Sequence, residues 1–302
     1  MSNLTALHQP VLLEQALTWL KIQPQQYYVD ATFGRGGHTR AMLQKGAKVI
    51  AFDFDQQAIE YGQKQFAKEL TTQQLILIQA NFIKLAQELS KLQPPVKQIA
   101  GILFDFGTTV DQLKDPERGF SFDTAQANLD MRMDQTLNVK AQDLLKVMTT
   151  KQLTKVFQEY GGENQASKIA KAIDQARKNQ DFHQLETVGG LVKLILAHKK
   201  PHRGKLHPAT KVFQALRIAV NDELHNIRQA LPQALALLKK QSRIVTIAFH
   251  EGEDRIVKKT FKNWQRQEQG KILTKKVVKP TALQINQNPR ARSAKLRAFE
   301  KK

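Results

Sequence analysis

Three aspartates, Asp30, Asp53 and Asp105, each close a short apolar run: YYVD, KVIAFD and IAGILFD. The first runs straight into a glycine-rich turn, Asp30-Ala31-Thr32-Phe33-Gly34-Arg35-Gly36-Gly37-His38. Glycines there let the backbone approach a ligand, and a helix opening after them offers unpaired N–H donors. Asp53 follows the glycines by roughly 20 residues, the separation at which an acid accepts hydrogen bonds from both ribose hydroxyls of an adenosine-bearing ligand. That spacing serves NAD and S-adenosylmethionine (SAM) equally. Thr39 stands where a dinucleotide fingerprint would have its third glycine.

The next two strand ends separate these ligands. Asn81-Phe82 offers an aromatic ring to an adenine, and Asp105-Phe106-Gly107 lies where the reacting end of the cofactor would be. Carboxylates at both Asp30 and Asp105 suit a cationic sulfonium and an amino-acid tail better than a pyrophosphate. The residues therefore point to SAM, with an NAD oxidoreductase as the distant alternative. Asp105-Phe106-Gly107 also spells the magnesium motif of protein kinases, but no catalytic-loop signature precedes it. Asp55 is assigned a solvated place in the turn after the second strand. The run His250, Glu251, Glu253, Asp254 lacks the helical histidine spacing of zinc sites, so no metal is expected.

Such residues need a scaffold that brings strand ends together. Tyr27–Asp30, Lys48–Asp53, Gln74–Ile78 and Ile99–Asp105 read as strands, with helical segments such as Thr39–Gln44 and Gln56–Lys68 between them. That alternation predicts a parallel sheet with helices on both faces. From about Leu113 to Lys205 the periodicity is helical, at Lys140–Met148, Thr150–Tyr160, Gln165–Lys178 and Leu185–His198. A long amphipathic helix is expected from Pro208, ended or restarted at Pro232. Strands at Arg243–Phe249 and Lys271–Val278 follow, then a basic, turn-rich tail from about Asn286. The fold class is α/β: a Rossmann-like sheet domain of residues 1–112 and 206–302, interrupted by an all-helical lobe of residues 113–205.

Among 302 residues, 47 Lys and Arg oppose 27 Asp and Glu, a formal charge of +20. A field of this sign favours a polyanionic partner, nucleic acid first. The absence of cysteine excludes disulfides, thiolate nucleophiles and Cys-ligated metals. No apolar run approaches the roughly 20 residues that span a bilayer, and Met1–Leu20 lacks the basic flank of a signal peptide. A soluble, cytoplasmic protein with no membrane partner is expected. Its oligomeric state is left open, a homodimer included.

Several longer stretches occur in order along the chain: His8-Gln9-Pro10-Val11-Leu12-Leu13, Thr32–His38, Glu117–Phe122 (ERGFSF), Leu129–Asp134 (LDMRMD) and His207-Pro208-Ala209-Thr210. Phe213–Ile218 (FQALRI) with Asn221, Glu253–Lys258 (EDRIVK) and Asn288–Arg297 (NPRARSAKLR) complete the set. In these stretches the sequence resembles the RsmH (MraW) family of ribosomal RNA cytosine-N4 methyltransferases. The resemblance implies SAM contacts at Gly36, Gly37, His38, Asp53, Phe82, Asp105 and Gln112. It also implies a target cytidine in small-subunit ribosomal RNA, free or within the assembled subunit. Two loops depart from the family pattern: Asp-Leu-Gly-Val-Ser-Ser-Pro-Gln becomes Asp105–Gln112 (DFGTTVDQ), and Ser-Phe-His-Ser-Leu-Glu-Asp-Arg becomes Ala248–Arg255 (AFHEGEDR). Both lie where the target base should be.

Methyl transfer from a sulfonium needs alignment of donor and acceptor and no nucleophilic side chain. Asp105 is the candidate acceptor for the cytosine amino protons, and so the catalytic candidate. His250 either contacts the base or is structural. Asn221 either reaches the site or satisfies a buried backbone group. Arg132, Arg290 and Arg292, with Lys295 and Arg297, either hold phosphates or form a solvated surface. Two further readings stay open: a non-catalytic RNA-binding assembly factor on the same fold, which would show no turnover, and an RNA methyltransferase with a different target base.

Overall fold

The computed structural model describes residues 10–122, 124–199 and 207–302. The motif residues His8 and Gln9 and the expected domain border at residues 205 and 206 lie outside the described residues.

The chain opens with helix α1 (Leu13–Leu20) and then alternates through β1 (Tyr27–Asp30), α2 (Gly37–Gln44), β2 (Lys48–Asp53), α3 (Gln56–Gln65), α4 (Ala67–Thr71), β3 (Leu75–Gln79), α5 (Leu85–Lys91) and β4 (Ile99–Asp105). Six helices follow: α6 (Val110–Lys114), α7 (Ala141–Val147), α8 (Thr150–Glu159), α9 (Ala166–Lys178), α10 (Val188–His198) and α11 (Thr210–Val220). The chain then returns through α12 (Glu223–Leu237), β5 (Leu238–Ala248), α13 (Glu251–Arg266), β6 (Gly270–Ile272), α14 (Ala282–Gln287) and β7 (Lys295–Lys301).

The seven strands form one sheet in the order β3-β2-β1-β4-β5-β7-β6. Strands β1 to β5 are parallel, and β7 runs antiparallel between β5 and β6. The central strands are apolar on both faces, as helix-covered parallel strands must be. Val49, Ile50, Ala51 and Phe52 of β2, and Ile102, Leu103 and Phe104 of β4, are at most 1% exposed. Chain order reverses at β1, which pairs with β2 on one side and β4 on the other. At such a switch point a crevice opens beyond the carboxyl ends of the strands, and Asp30 and Asp105 are those ends.

Four details differ from the sequence reading. Asp55 is not solvated: it is 6% exposed and caps α3, its carboxylate accepting the Gln57 N–H at 3.1 Å. The expected helix Gln56–Lys68 breaks at Phe66, whose ring turns inward onto Phe33 at 5.6 Å between centroids. The long helix from Pro208 breaks at Asn221 and Asp222 (φ 48°) rather than at Pro232, which lies inside α12. There Gln233 ties the helix to the start of α5, accepting the Ala86 N–H at 3.0 Å and donating to the Ile83 carbonyl at 2.7 Å. Finally, the basic tail contains a core strand: in β7, Leu296, Ala298 and Phe299 are fully buried, while the expected strand Lys271–Val278 shortens to β6.

Two compact units result, Met1–Gly107 with Leu224–Lys302, and Thr108–Glu223. The second unit takes in residues on both sides of the expected 112/113 border, and α11 belongs to the helical unit rather than to the sheet. Its buried face, Val212, Phe213, Leu216 and Ile218, packs with α7 and α8. That unit has its own core, in which Leu145, Leu153, Phe157, Ile169 and Leu191 are fully buried. Among its described residues there is no strand, only an isolated bridge between Asn128 and Thr187. No helix among the described residues is long and apolar enough to cross a membrane.

Candidate active site

The sheet unit collects Asp30, Asp53 and Asp105 at the carboxyl ends of β1, β2 and β4. Asp30 is fully buried; its carboxylate accepts the Thr39 hydroxyl at 2.7 Å and the Thr32 N–H at 3.2 Å. Burial pushes its carboxyl up to about 7, against the lowering effect of the Thr39 hydrogen bond. Asp53 accepts the Gly34 N–H at 2.8 Å and the Asp55 N–H at 2.9 Å, and burial raises it to about 6. The Asp105 backbone N–H donates to the Thr32 hydroxyl at 2.8 Å. Its side chain is 22% exposed. Desolvation, then the carboxylates of Asp30 and Glu253, raise its carboxyl well above the usual range.

His38, 5% exposed, points Nδ1 at Asp105 Oδ2 across 3.7 Å, too far for a hydrogen bond. Burial lowers its imidazole to about 4, although a backbone hydrogen bond to Val11 opposes the shift, so it is neutral at neutral pH. His38 Nε2 and Asp105 Oδ1 are both buried without a hydrogen-bond partner among the described residues. Leaving such atoms unpaired costs about 1–3 kcal/mol each.

The glycines are fixed by close packing. Gly36 has φ +68°, and a Cβ there would lie 2.7 Å from the rings of Phe33 and Phe66. A Cβ on Gly37 would overlap the Pro10 ring. Phe82, in the short 3-10 turn Phe82–Lys84 after β3, lies edge-on to Phe104 at 5.7 Å and beside Phe106 at 6.2 Å between centroids.

Six of the seven expected cofactor residues thus belong to the sheet unit. Gln112 belongs to the helical unit, where it is 3% exposed and forms a capping box with Thr109 at the start of α6. Among the described residues no cationic side chain pairs with Asp30, Asp53 or Asp105, and the neighbouring imidazole is uncharged. Three carboxyls at neighbouring strand ends, with no cationic partner among the described residues, suit a bound cation. With the orphaned Asp105 oxygen they fit a cationic, adenosine-bearing cofactor such as SAM.

The substrate candidates fare differently. Arg132 does not offer its guanidinium to phosphate: Nε and one Nη donate to Asp130 at 2.8 Å each, and the remaining donors go to Gln135 and the Leu137 carbonyl. All five N–H groups are consumed by the loop. Asn221 pins backbone: Oδ1 accepts the Met133 N–H at 2.7 Å, while Nδ2 donates to the Met131 and Arg217 carbonyls at 2.8 Å. His250 caps α13; Nδ1 accepts the Gly252 N–H at 3.2 Å, and Nε2 lies 3.2 Å from Glu253 Oε1. Arg297 pairs with Asp254 at 2.7 Å and Lys295 with Glu251. Arg290 and Arg292 are exposed on the 3-10 turn Pro289–Ser293.

Three residues escaped the sequence reading: Thr32 and Thr39, which orient Asp105 and Asp30, and Glu253. Glu253 is 1% exposed, and its Oε2 accepts the N–H groups of Phe249 at 2.7 Å and His250 at 3.2 Å. For Thr39 a signal existed, since it stands where a dinucleotide fingerprint would have glycine; for Glu253 only its spacing of three from the capping His250 hinted at a capping box.

The chain matches the MraW methylase family over residues 5–302. Ribosomal RNA small subunit methyltransferase H of Coprothermobacter proteolyticus is 40% identical over 296 residues, covering 97% of this chain and 96% of that protein. The protein of the same name from Oenococcus oeni is 41% identical over 311 residues, covering 97% and 98%. That from Caldicellulosiruptor saccharolyticus is 38% identical over 312 residues, covering 97% and 99%.

Proposed function

The chain belongs to the MraW methylase family, and on that premise we propose that it transfers the methyl group of SAM to the exocyclic N4 of a cytidine in small-subunit ribosomal RNA. The observation that carries this reading is the group of side chains at the carboxyl ends of β1, β2 and β4: three carboxyls, a neutral imidazole and an unpartnered Asp105 Oδ1.

When bound, SAM supplies an electrophilic methyl on a sulfonium, transferred by in-line displacement. Asp53 would accept hydrogen bonds from the ribose hydroxyls, and the glycine turn, whose packing against Phe33, Phe66 and Pro10 excludes side chains at Gly36 and Gly37, would let the backbone approach the ligand. Asp30, held by Thr39 and Thr32, would supply negative charge towards the cationic end once ionised. The Phe82 ring would pack against the adenine.

Burial raises the Asp105 carboxyl well above the usual range in the free protein, and a neighbouring cation would favour its ionised form. The ionised Oδ1 accepts an amino N–H of the cytosine, draws the nitrogen lone pair out of the ring and takes up the proton once the N–C bond has formed. The base must leave its stack to reach this position. Arg290 and Arg292 hold phosphates outside the crevice, and the helical unit recognises the surrounding RNA.

The test is transfer of labelled methyl from SAM to small ribosomal subunits from cells lacking this protein, followed by nucleoside analysis. N4-methylcytidine is the expected product. A different methylated nucleoside would keep the enzyme and change its target; no label, with SAM and RNA still bound, would leave a non-catalytic binder. Asp105→Ala should abolish turnover, and an active variant would remove Asp105 from the reaction.

A further inference from the structure

The base of the sheet, at the opposite strand ends from Asp30 and Asp105, holds a cavity of about 990 Å³. Its lining gathers seven lysines and arginines against two carboxylates, Glu268 and Glu300. The acids do not neutralise it. Glu300 is shared by Arg243 and Lys271, each at 2.9 Å. Lys239 and Lys301 have neutral partners: Lys239 donates to Gln26 Oε1 at 2.6 Å, and Lys301 to the Leu238 and Ala236 carbonyls at 2.8 and 3.2 Å. Lys21, ending α1, and Lys240, near the start of β5, are exposed.

The lining also decides between classes of anionic partner. Small-molecule sites are mostly apolar, whereas the apolar residues here, such as Leu20 and Tyr28, are 2% and 1% exposed and present almost no surface. The same lack of exposed apolar side chains leaves nothing to insert into a bilayer. Arg243 is the β5 residue in register with Lys271 on β6, and Lys240 lies three residues before it. Lys240 and Lys271 are therefore more than two strand spacings apart, over about 10 Å, a separation that faces several phosphates of one strand rather than a single anion.

We propose that this basal cavity is a second RNA-backbone site, which takes phosphates of a small-subunit ribosomal RNA segment remote from the target base. The inference rests on the reading of RNA as substrate and adds a second place where the RNA is held. Along β4, Ala100 in the cavity lining and Asp105 are five residues apart, about 16 Å. The basal site therefore acts on affinity and not on the reacting atoms.

The test compares wild type with the double variant Lys21→Asn, Lys240→Gln, using a labelled small-subunit ribosomal RNA transcript over a salt series. Asn suits the left-handed backbone of Lys21 (φ 56°), and both side chains are exposed, so the fold should survive. Loss of two phosphate contacts should weaken binding roughly 30-fold near physiological salt and lower the salt slope by about two. KM for RNA should rise, while kcat and SAM affinity stay at wild-type values. Unchanged affinity and slope would overturn the site, as would variant-sensitive binding to phosphatidylserine vesicles with RNA binding intact. A wild type that binds the transcript through these lysines but methylates nothing would sink the proposed reaction and leave the basal site standing.

Discussion

At Asp30 and Asp53 a hydrogen-bonded carboxyl is held near 7 and near 6, where the ordinary value is 3.8, because burial outweighs the bonds each accepts. In the free protein their stabilising contribution is present below pH 3.8 and is lost as pH rises through 6 and 7. His38 runs the other way: its contribution is present above pH 6.5 and is lost as pH falls through about 4. Of these three groups only the carboxyls still titrate above pH 6.5, so between pH 6.5 and 7 they should lower the melting temperature of the free protein as pH rises. A cationic cofactor reverses their preference, since it favours the ionised forms. SAM binding should therefore release protons and tighten as pH rises through 6 and 7. Calorimetry in buffers of different ionisation enthalpy counts those protons, and proton uptake would show that the acids do not face the cation. Asp53→Asn should remove part of the release.

At the scale of elements, short polar ties between distant segments set where helices stop and loops lie. Asn221 ends α11 and fixes the segment around Met131, whose φ of 60° an unsupported chain would avoid. Asn221→Ala leaves the Met133 N–H and Met131 carbonyl without this partner. Stability should fall by about 1–3 kcal/mol, read from urea unfolding with an unchanged slope. A variant as stable as wild type would show that water replaces the side chain. The start of α13 follows the same logic: His250 accepts the Gly252 N–H in the first turn of the helix, and Glu253 reaches back to the N–H groups of Phe249 and His250 and holds that backbone in place. His250 and Glu253 of that histidine-and-acid run thus cap a helix.

For the whole molecule, the charge of +20 makes RNA association strongly dependent on salt. Exposed Arg290 and Arg292 provide a second check on how that charge is used. Replacing both by Ala should lower the salt slope of RNA binding by about two and leave SAM affinity unchanged; unchanged RNA affinity would return them to plain surface. Much of this protein was legible locally. The parallel half of the sheet, the acids at its strand ends and the glycine turn are written in contiguous runs, because a buried parallel strand must be apolar throughout and a close turn must lack Cβ atoms. The ordered motifs identified the family for the same reason. Other features depend on partners far away in sequence. Strand β7 was hidden because Arg297 reads as basic tail until Asp254, 43 residues earlier, pairs with it. Asn221 acts on Met133 across 88 residues. Arg132 looked like a phosphate ligand until its own loop closed on all five donors. Sequence by itself determined which residues are apolar, acidic or free of side chain along each strand and turn. Tertiary structure alone decided which polar groups are already satisfied, because a hydrogen bond belongs to two residues and only the fold brings the second one into place.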